Sequence, residues 1–578
     1  MFDKFSRRFA SLLAALTLAA CASASGPLAP DVHGDGEAMV AAANPHAVDA
    51  ALEILRAGGS AVDAAIAAEM VLGLVEPQSS GIGGGGFLLH YDGASEDIVA
   101  YDGRERATAG ATPDMFLDDG APLGFIQAQT SGRSIGAPSL IAMLKLAHDD
   151  HGRLPWAHLF APAIDLAENG FEISPRMARM VSGYADRGRL RQDANARAYL
   201  FDQDGRPHAA GYRLRNPDYA TTLRAIAEQG PRALSEGPIA EAIVAAAQRA
   251  PLAGSLTLAD LQAVTPRRLD PVCMEFRVYR ACTMGSPSSA NATLAIMGLY
   301  QRARPRPDGP NNPDDWAAFL WASRLAYADR DHYMADDQFA PVPTRELVAP
   351  AYLDRRAQLI DLTQAPARIS PGAPAGRDLF EHWGRAQSDD GGTTHLSVVD
   401  RWGNAVSLTA TVESAFGSNR MVGGFFLNNE LTDFSFRPTL NGRPVANAVE
   451  PGKAPRSSMS PLIVTDGDGE LVLVIGSPGG SAIIGYVARA SIGILDWGLS
   501  PQEAIDLSNA TARTSPVRLE AERAPGGWVE ALRRRGWEFH DVSGLEESGL
   551  HAILVAEDGL VGGADPRREG RVGRWVAQ

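Results

Sequence analysis

The stretch Gly391-Gly392-Thr393-Thr394-His395-Leu396-Ser397-Val398-Val399-Asp400 leaves this chain few ways to fold. From Leu396 a strand-like run leads into the turn-rich Asp400-Arg401-Trp402-Gly403-Asn404. It resumes as Ala405-Val406-Ser407-Leu408-Thr409-Ala410-Thr411-Val412. Two β-rich runs around a polar, glycine-containing turn read as a hairpin. With the turn centred on Trp402, opposed residues have numbers summing to 804, so Thr393 faces Thr411 and Glu413 lies just beyond the pair. A threonine at the strand start thereby gains a hydroxyl neighbour and a carboxylate.

A threonine hydroxyl attacks poorly unless a base stands beside it, and a free amine on the same residue is such a base. Here that amine is tied up in the Gly392–Thr393 peptide bond, so the chain would first have to open there. Attack by Thr393 on the Gly392 carbonyl would give an ester that water opens, and glycine tolerates the backbone angles required. Taken alone, a Thr-Thr pair opening a strand is more often an ordinary β-former.

Further motifs change that balance. Leu427-Asn428-Asn429-Glu430-Leu431-Thr432-Asp433-Phe434, Ser457-Ser458-Met459-Ser460-Pro461 and Gly476-Ser477-Pro478-Gly479-Gly480 follow the Thr-Thr-His run in order. Together they resemble the gamma-glutamyltransferase (gamma-glutamyltranspeptidase) family of N-terminal nucleophile hydrolases, over roughly residues 40 to 570. The resemblance implies an α+β fold, a four-layer αββα sandwich with two stacked antiparallel sheets flanked by helices. It also implies cleavage between Gly392 and Thr393 into a large subunit, 21–392, and a small catalytic subunit, 393–578. The two fragments would form one composite domain, a heterodimer of the chain's own pieces.

Site roles follow from the same resemblance. Thr393 is the nucleophile, Thr411 orients its amine or hydroxyl, and the Gly479 and Gly480 amides form an oxyanion hole. A glycine pair opening a helical run from Ala482 suits that task, because free N–H groups at a helix start favour negative charge. Arg104, in Asp102-Gly103-Arg104-Glu105, would grip the substrate's α-carboxylate with Ser457 and Ser458; from the residues alone it reads as a surface charge. Glu413, Glu430 and Asp433 would surround the α-ammonium, in two charge environments of opposite sign. Other members carry amides in place of Glu413 and Glu430. The implied substrates are gamma-glutamyl compounds such as glutathione, the acyl group passing to water or to an acceptor amine. The alternatives are an acylase for glutaryl or β-lactam side chains, and an unprocessed binding lipoprotein. No metal site and no organic cofactor are expected, since the 12 histidines form no metal-spaced cluster.

Residues 1–20 carry Lys4, Arg7 and Arg8 before an apolar run, and read as a secretion signal. Leu18-Ala19-Ala20-Cys21 looks like a lipobox, which would lipidate Cys21 and attach the exported protein to a membrane in the periplasm. Soluble secretion with cleavage after Ala24 is the rival. Net charge is −16, and removing residues 1–20 takes away three positive charges and one negative, leaving −18. Such a surface argues against nucleic acid as a partner. Export makes a Cys273–Cys282 disulfide reasonable, with two free thiols equally so.

Elsewhere, two helices broken at Gly58-Gly59-Ser60 are expected over 44–76, Ser60 capping the second. Gly81, Gly83 and Gly86 satisfy a dinucleotide-binding pattern literally, yet they leave a helix and open the strand Phe87–Tyr91, the reverse of what that motif needs. Close backbone packing explains them better. The segment 364–392 reads as a long polar connection. The link 435–456 holds no tyrosine and only Phe436 near its start, so an incomplete or differently closed lid is expected over the pocket.

Overall fold

The computed structural model describes residues 36–186, 190–374, 392–543 and 548–577. The signal segment, Cys21 and most of the connection before Gly392 lie outside these residues.

Two antiparallel sheets make the centre. The first contains β1 (Glu37–Ala42), β2 (Gly85–Tyr91), β3 (Ile98–Gly103), β4 (Arg267–Leu269), β7 (Gly392–Val399), β8 (Ala405–Glu413) and β13 (Arg571–Val576). The second contains β5 (Val272–Phe276), β6 (Tyr279–Thr283), β9 (Leu462–Thr465), β10 (Leu471–Gly476), β11 (His551–Ala556) and β12 (Gly559–Ala564). Their orders are β13-β1-β7-β8-β2-β3-β4 and β12-β11-β10-β9-β6-β5.

Period-two alternation decides which side chains meet which layer. Ala38, Val40 and Ala42 face a helical layer that includes α1 (Pro45–Arg56) and α2 (Ala61–Val75), together with Leu396, Val398, Val406 and Leu408. Their neighbours Met39 and Ala41 belong to the other apolar cluster. That cluster takes in Ile463, Leu473 and Ile553 of the second sheet and the helices α3 (Asn291–Ala303), α4 (Pro313–Tyr333) and α5 (Ile483–Leu495). Helix, sheet, sheet, helix is the predicted αββα arrangement.

The hairpin has the expected register: Thr393 opposes Thr411, and pairing runs without slip to Val399 opposite Ala405. Gly392 instead opposes Glu413, because an irregularity falls between Gly392 and Thr393. The turn is tied to the helix layer, Asp400 Oδ2 accepting from Ala61 N at 2.9 Å. Ser60 caps α2 with a reciprocal Ser60–Asp63 box.

The glycine run serves contact rather than nucleotide binding. A Cβ on Gly84 would sit 2.0 Å from the Thr411 carbonyl oxygen, and one on Gly83 equally close to that of Phe426. Cys273 and Cys282 are bonded, directly opposed across β5 and β6. In the link 435–456, Phe436 stacks on Phe116 with ring centroids 4.7 Å apart. That satellite cluster includes Leu431, Phe434 and Val449.

Candidate active site

The face of β7 and β8 that looks into the sandwich is polar where it nears the strand start. His395 is wedged between Thr409 Oγ1 at 2.9 Å and Ser397 Oγ at 3.1 Å. Burial, reinforced by His551, holds His395 well below the usual histidine range, so it is a neutral spacer. The same face brings Thr393 and Thr411 to the mouth of the sandwich.

Thr411 Oγ1 has three partners: the Gly392 carbonyl at 2.5 Å, Glu413 N at 2.8 Å and Thr393 Oγ1 at 3.2 Å. A hydroxyl has one proton and two lone pairs. Gly392 O can only accept and Glu413 N can only donate, so Thr411 spends its proton on Gly392 O and must accept from Thr393. The Thr393 hydroxyl therefore points its proton at Thr411 while Thr411 polarises the carbonyl of the Gly392–Thr393 bond. Glu413, at φ +75°, turns the chain sharply just past this contact.

A small pocket opens from Thr393. It is lined by Thr393, Thr411, Arg104, Glu413, Glu430, Asp433, Ser457, Ser458, Met459, Gly480 and Ile483. Every predicted binding residue is there; Gly479 immediately precedes Gly480, and both have positive φ at the start of the turn that leads into α5. No described residue of 435–456 lines it.

The charge layout corrects one expectation. Arg104 and the acids form one cluster, not two environments: Arg104 Nη1 pairs with Glu430, and Nη2 lies 2.5 Å from Asp433 Oδ2. The Pro455 and Arg456 carbonyls accept its Nε and Nη2 at 3.2 and 2.8 Å. Burial works against the charge on Arg104, but Glu430, Asp433 and Glu105 outweigh it and hold the guanidinium firmly protonated. Glu413 is buried, accepting from Ser414 Oγ at 2.6 Å and from Asn429 Nδ2. Burial first, then Asp433 and Glu430, push its carboxyl well above the ordinary range. Burial also raises Glu430, against Arg104, and raises Glu105 with help from Glu430. Two carboxyls pair with the guanidinium, and Glu105, Glu413 and Glu430 are all reluctant to ionise.

Ser457 and Ser458 are placed as acceptors. Ser457 Oγ accepts from Met459 N at 3.2 Å, and Ser458 Oγ from Arg330 Nη2 at 2.5 Å. Among the described residues neither hydroxyl donates. The loop 285–291 fixes this corner, Ser289 N donating to Ser457 O at 2.8 Å and Ser457 N to Pro287 O at 2.9 Å.

Sequence reasoning missed Glu105, Arg330 and Arg568. Glu105 adjoins Arg104 in the motif that named Arg104, and that adjacency was its signal. The other two gave none, since Arg330 reaches Ser458 across 128 positions and Arg568 reaches Thr393 across 175.

A strand-opening threonine at the mouth of an αββα sandwich, with the carbonyl of the preceding Gly392 polarised, defines the class of N-terminal nucleophile hydrolases. Within that class, the gamma-glutamyltranspeptidase profile matches residues 47–575. The chain belongs to the gamma-glutamyltranspeptidase family. It is 36% identical over 552 residues to the glutathione hydrolase proenzyme of Bacillus subtilis (strain 168), covering 93% of this chain and 91% of that protein. To the glutathione hydrolase proenzyme of Escherichia coli (strain K12) it is 34% identical over 589 residues, covering 97% and 98%. The crystal structure of cephalosporin acylase from Bacillus halodurans matches with a TM-score of 0.81 at 26% identity, covering 97% of this chain and all of that one.

Proposed function

We propose that this protein is a self-processing gamma-glutamyl hydrolase and transferase, with glutathione-like amides as donors. The observation that carries the reading is the hydroxyl chain Thr393–Thr411–Gly392 O opening onto a pocket with one arginine and a surplus of acids. In the first reaction Thr393 Oγ1 bonds to the Gly392 carbonyl carbon and the C–N bond breaks. The hydroxyl proton leaves with the nitrogen, which becomes the free amine of Thr393. Water then opens the ester, giving a Gly392 carboxylate and restoring the hydroxyl.

In turnover, Thr393 Oγ1 attacks the donor's γ-carbonyl while its own amine takes the proton and passes it to the leaving amine. The Gly479 and Gly480 N–H groups face the developing oxyanion. The α-carboxylate would draw on Arg104 and the hydroxyls of Ser457 and Ser458. The α-ammonium would sit among Glu413, Glu430 and Asp433. The resulting threonyl ester passes to water or to an acceptor amine.

A glutaryl-type acyl group has no ammonium to occupy the acids, which disfavours the acylase reading despite the likeness to a cephalosporin acylase. Export, with lipidation at Cys21, is proposed from the sequence alone.

The test is intact mass and N-terminal sequencing of protein from its native export route, followed by assay with a gamma-glutamyl anilide. A fragment beginning Thr393-Thr394-His395 and turnover of the anilide are expected, and Thr393→Ala should abolish both. A cut, fully active Thr393→Ala protein would sink the assignment.

A further inference from the structure

Thr393 is held from behind as well as from the pocket. Arg568 Nη1 donates to the Thr393 carbonyl at 2.7 Å, and Arg568 Nε to the Ser548 carbonyl at 3.2 Å. The arginine is 8% exposed, and an added Cβ on Gly549 would come within 2.8 Å of its Cδ, so it has little room to move. Its surroundings are charged and buried. Arg176 Nη1 donates to Glu76 Oε2 at 3.2 Å, and Arg176 N to Glu569 Oε1 at 2.8 Å.

We propose that Arg568 is a positioning residue that clamps Thr393 by its carbonyl and keeps the amine freed by cleavage in its neutral, basic form. This rests on the self-cleavage reading. Covalent geometry puts a residue's amine about 3–4 Å from its own carbonyl oxygen, so the guanidinium lies within about 6 Å of the nitrogen that must accept a proton. A cation that close disfavours a second one. A chain-terminal amine ordinarily titrates near 7.7–8.0 and would be largely protonated at neutral pH.

The other groups around this amine pull in both directions. From the pocket, Glu413, Glu430 and Asp433 favour an ammonium, offset by Arg104, which already pairs with two of them. Along β7, His395 is neutral, and so is His551 behind it, burial lowering it to about 4. Behind the strand, Arg176 opposes Glu76 and Glu569, while Asp565, paired with Arg567, also bears on Arg568 and His551. Arg568 is the cation that touches Thr393 itself. Burial, with Arg176 pressing, lowers it to about 9, which leaves it charged at neutral pH.

The experiment uses processed protein. The Thr393 amine is titrated by the pH dependence of its acetylation with acetic anhydride, read by mass on the 393–578 fragment. The acid limb of kcat/KM is measured with a gamma-glutamyl anilide. In the wild type the amine midpoint should fall below the ordinary terminal value. Arg568→Met should raise both midpoints by about one unit. Arg568→Lys, which keeps the charge and loses the fork, should leave them near wild type with a lower kcat. A processed Arg568→Met protein with unmoved midpoints overturns the proposal. So does a wild-type amine titrating at or above the ordinary value, a test that holds even if Arg568→Met fails to fold. Wild-type protein that never yields a fragment starting at Thr393 overturns the self-cleavage reading, and this one with it. A processed wild type with an unshifted amine overturns only this one.

Discussion

Thr411 has no spare capacity: its proton and both lone pairs are committed. Thr411→Val keeps the shape, removes the donor to Gly392 O and leaves Glu413 N unsatisfied. Loss of one donor to a reacting carbonyl typically costs a factor of about 10²–10³. Processing of Thr411→Val, followed by the rate at which the 393–578 fragment appears, should slow by that order. Arg104 bonds to Glu430, Asp433 and the Pro455 and Arg456 carbonyls rather than to the scissile bond. Arg104→Lys should therefore leave processing intact while raising KM for a gamma-glutamyl donor at least about tenfold, since a point charge cannot replace the planar fork. The acids give a separate prediction. Glu413 and Glu430, which line the pocket, are raised, and an arriving ammonium would favour their charged forms. Binding of a gamma-glutamyl ligand near pH 7 should release protons, seen as a dependence of calorimetric heat on the buffer's ionisation enthalpy. Heat independent of buffer, or proton uptake, would contradict the ammonium placement.

At the level of elements, the β7–β8 register was legible because a turn of known centre fixes every pair, and the break between α1 and α2 because Ser60 and Asp63 cap locally. Long-range contacts were not. Nothing local says that Arg104 meets Glu430, 326 positions on, so two separate charge environments were expected where one cluster stands. The disulfide lay between: two cysteines flanking a hairpin can pair, but sequence does not set their register. α2 carries a further cost, since all fifteen of its residues are buried, Glu69 among them. Burial, helped by Glu76 and resisted by Ser80, lifts Glu69 to about 8 from an ordinary 4.5. Between those values the folded chain keeps a proton that the unfolded chain gives up. Stability therefore falls as pH rises through that window. Glu69→Gln should flatten that decline and stabilise the protein at pH 8 by a few kcal/mol. Thermal unfolding at pH 5 and pH 8 checks it, and an unchanged slope would count against a buried proton on Glu69.

Over the whole molecule, the proposed fragments are interleaved rather than adjacent. In the first sheet β7 and β8 of the C-terminal piece lie between β1 and β2 of the N-terminal piece, and β13 closes over β1 from the far side. Cutting the Gly392–Thr393 bond detaches only the first residue of β7 and leaves the pairs from Thr393–Thr411 to Val399–Ala405 within the C-terminal piece. The pieces should co-elute as one species on size exclusion and part only under conditions that unfold the whole. Elution of either fragment alone from native buffer would contradict this. The same interleaving bears on when the protein becomes active. The carbonyl to be attacked is polarised by a residue nineteen positions away, and the attacking residue is held by one 175 positions away. The hairpin alone supplies the first, but the second is no neighbour until the sandwich has closed. On the proposed chemistry the break in the chain is a record of assembly, written once per molecule. The ratio of cut to intact chain in any preparation then counts how many molecules reached the native state, including those that have since lost it.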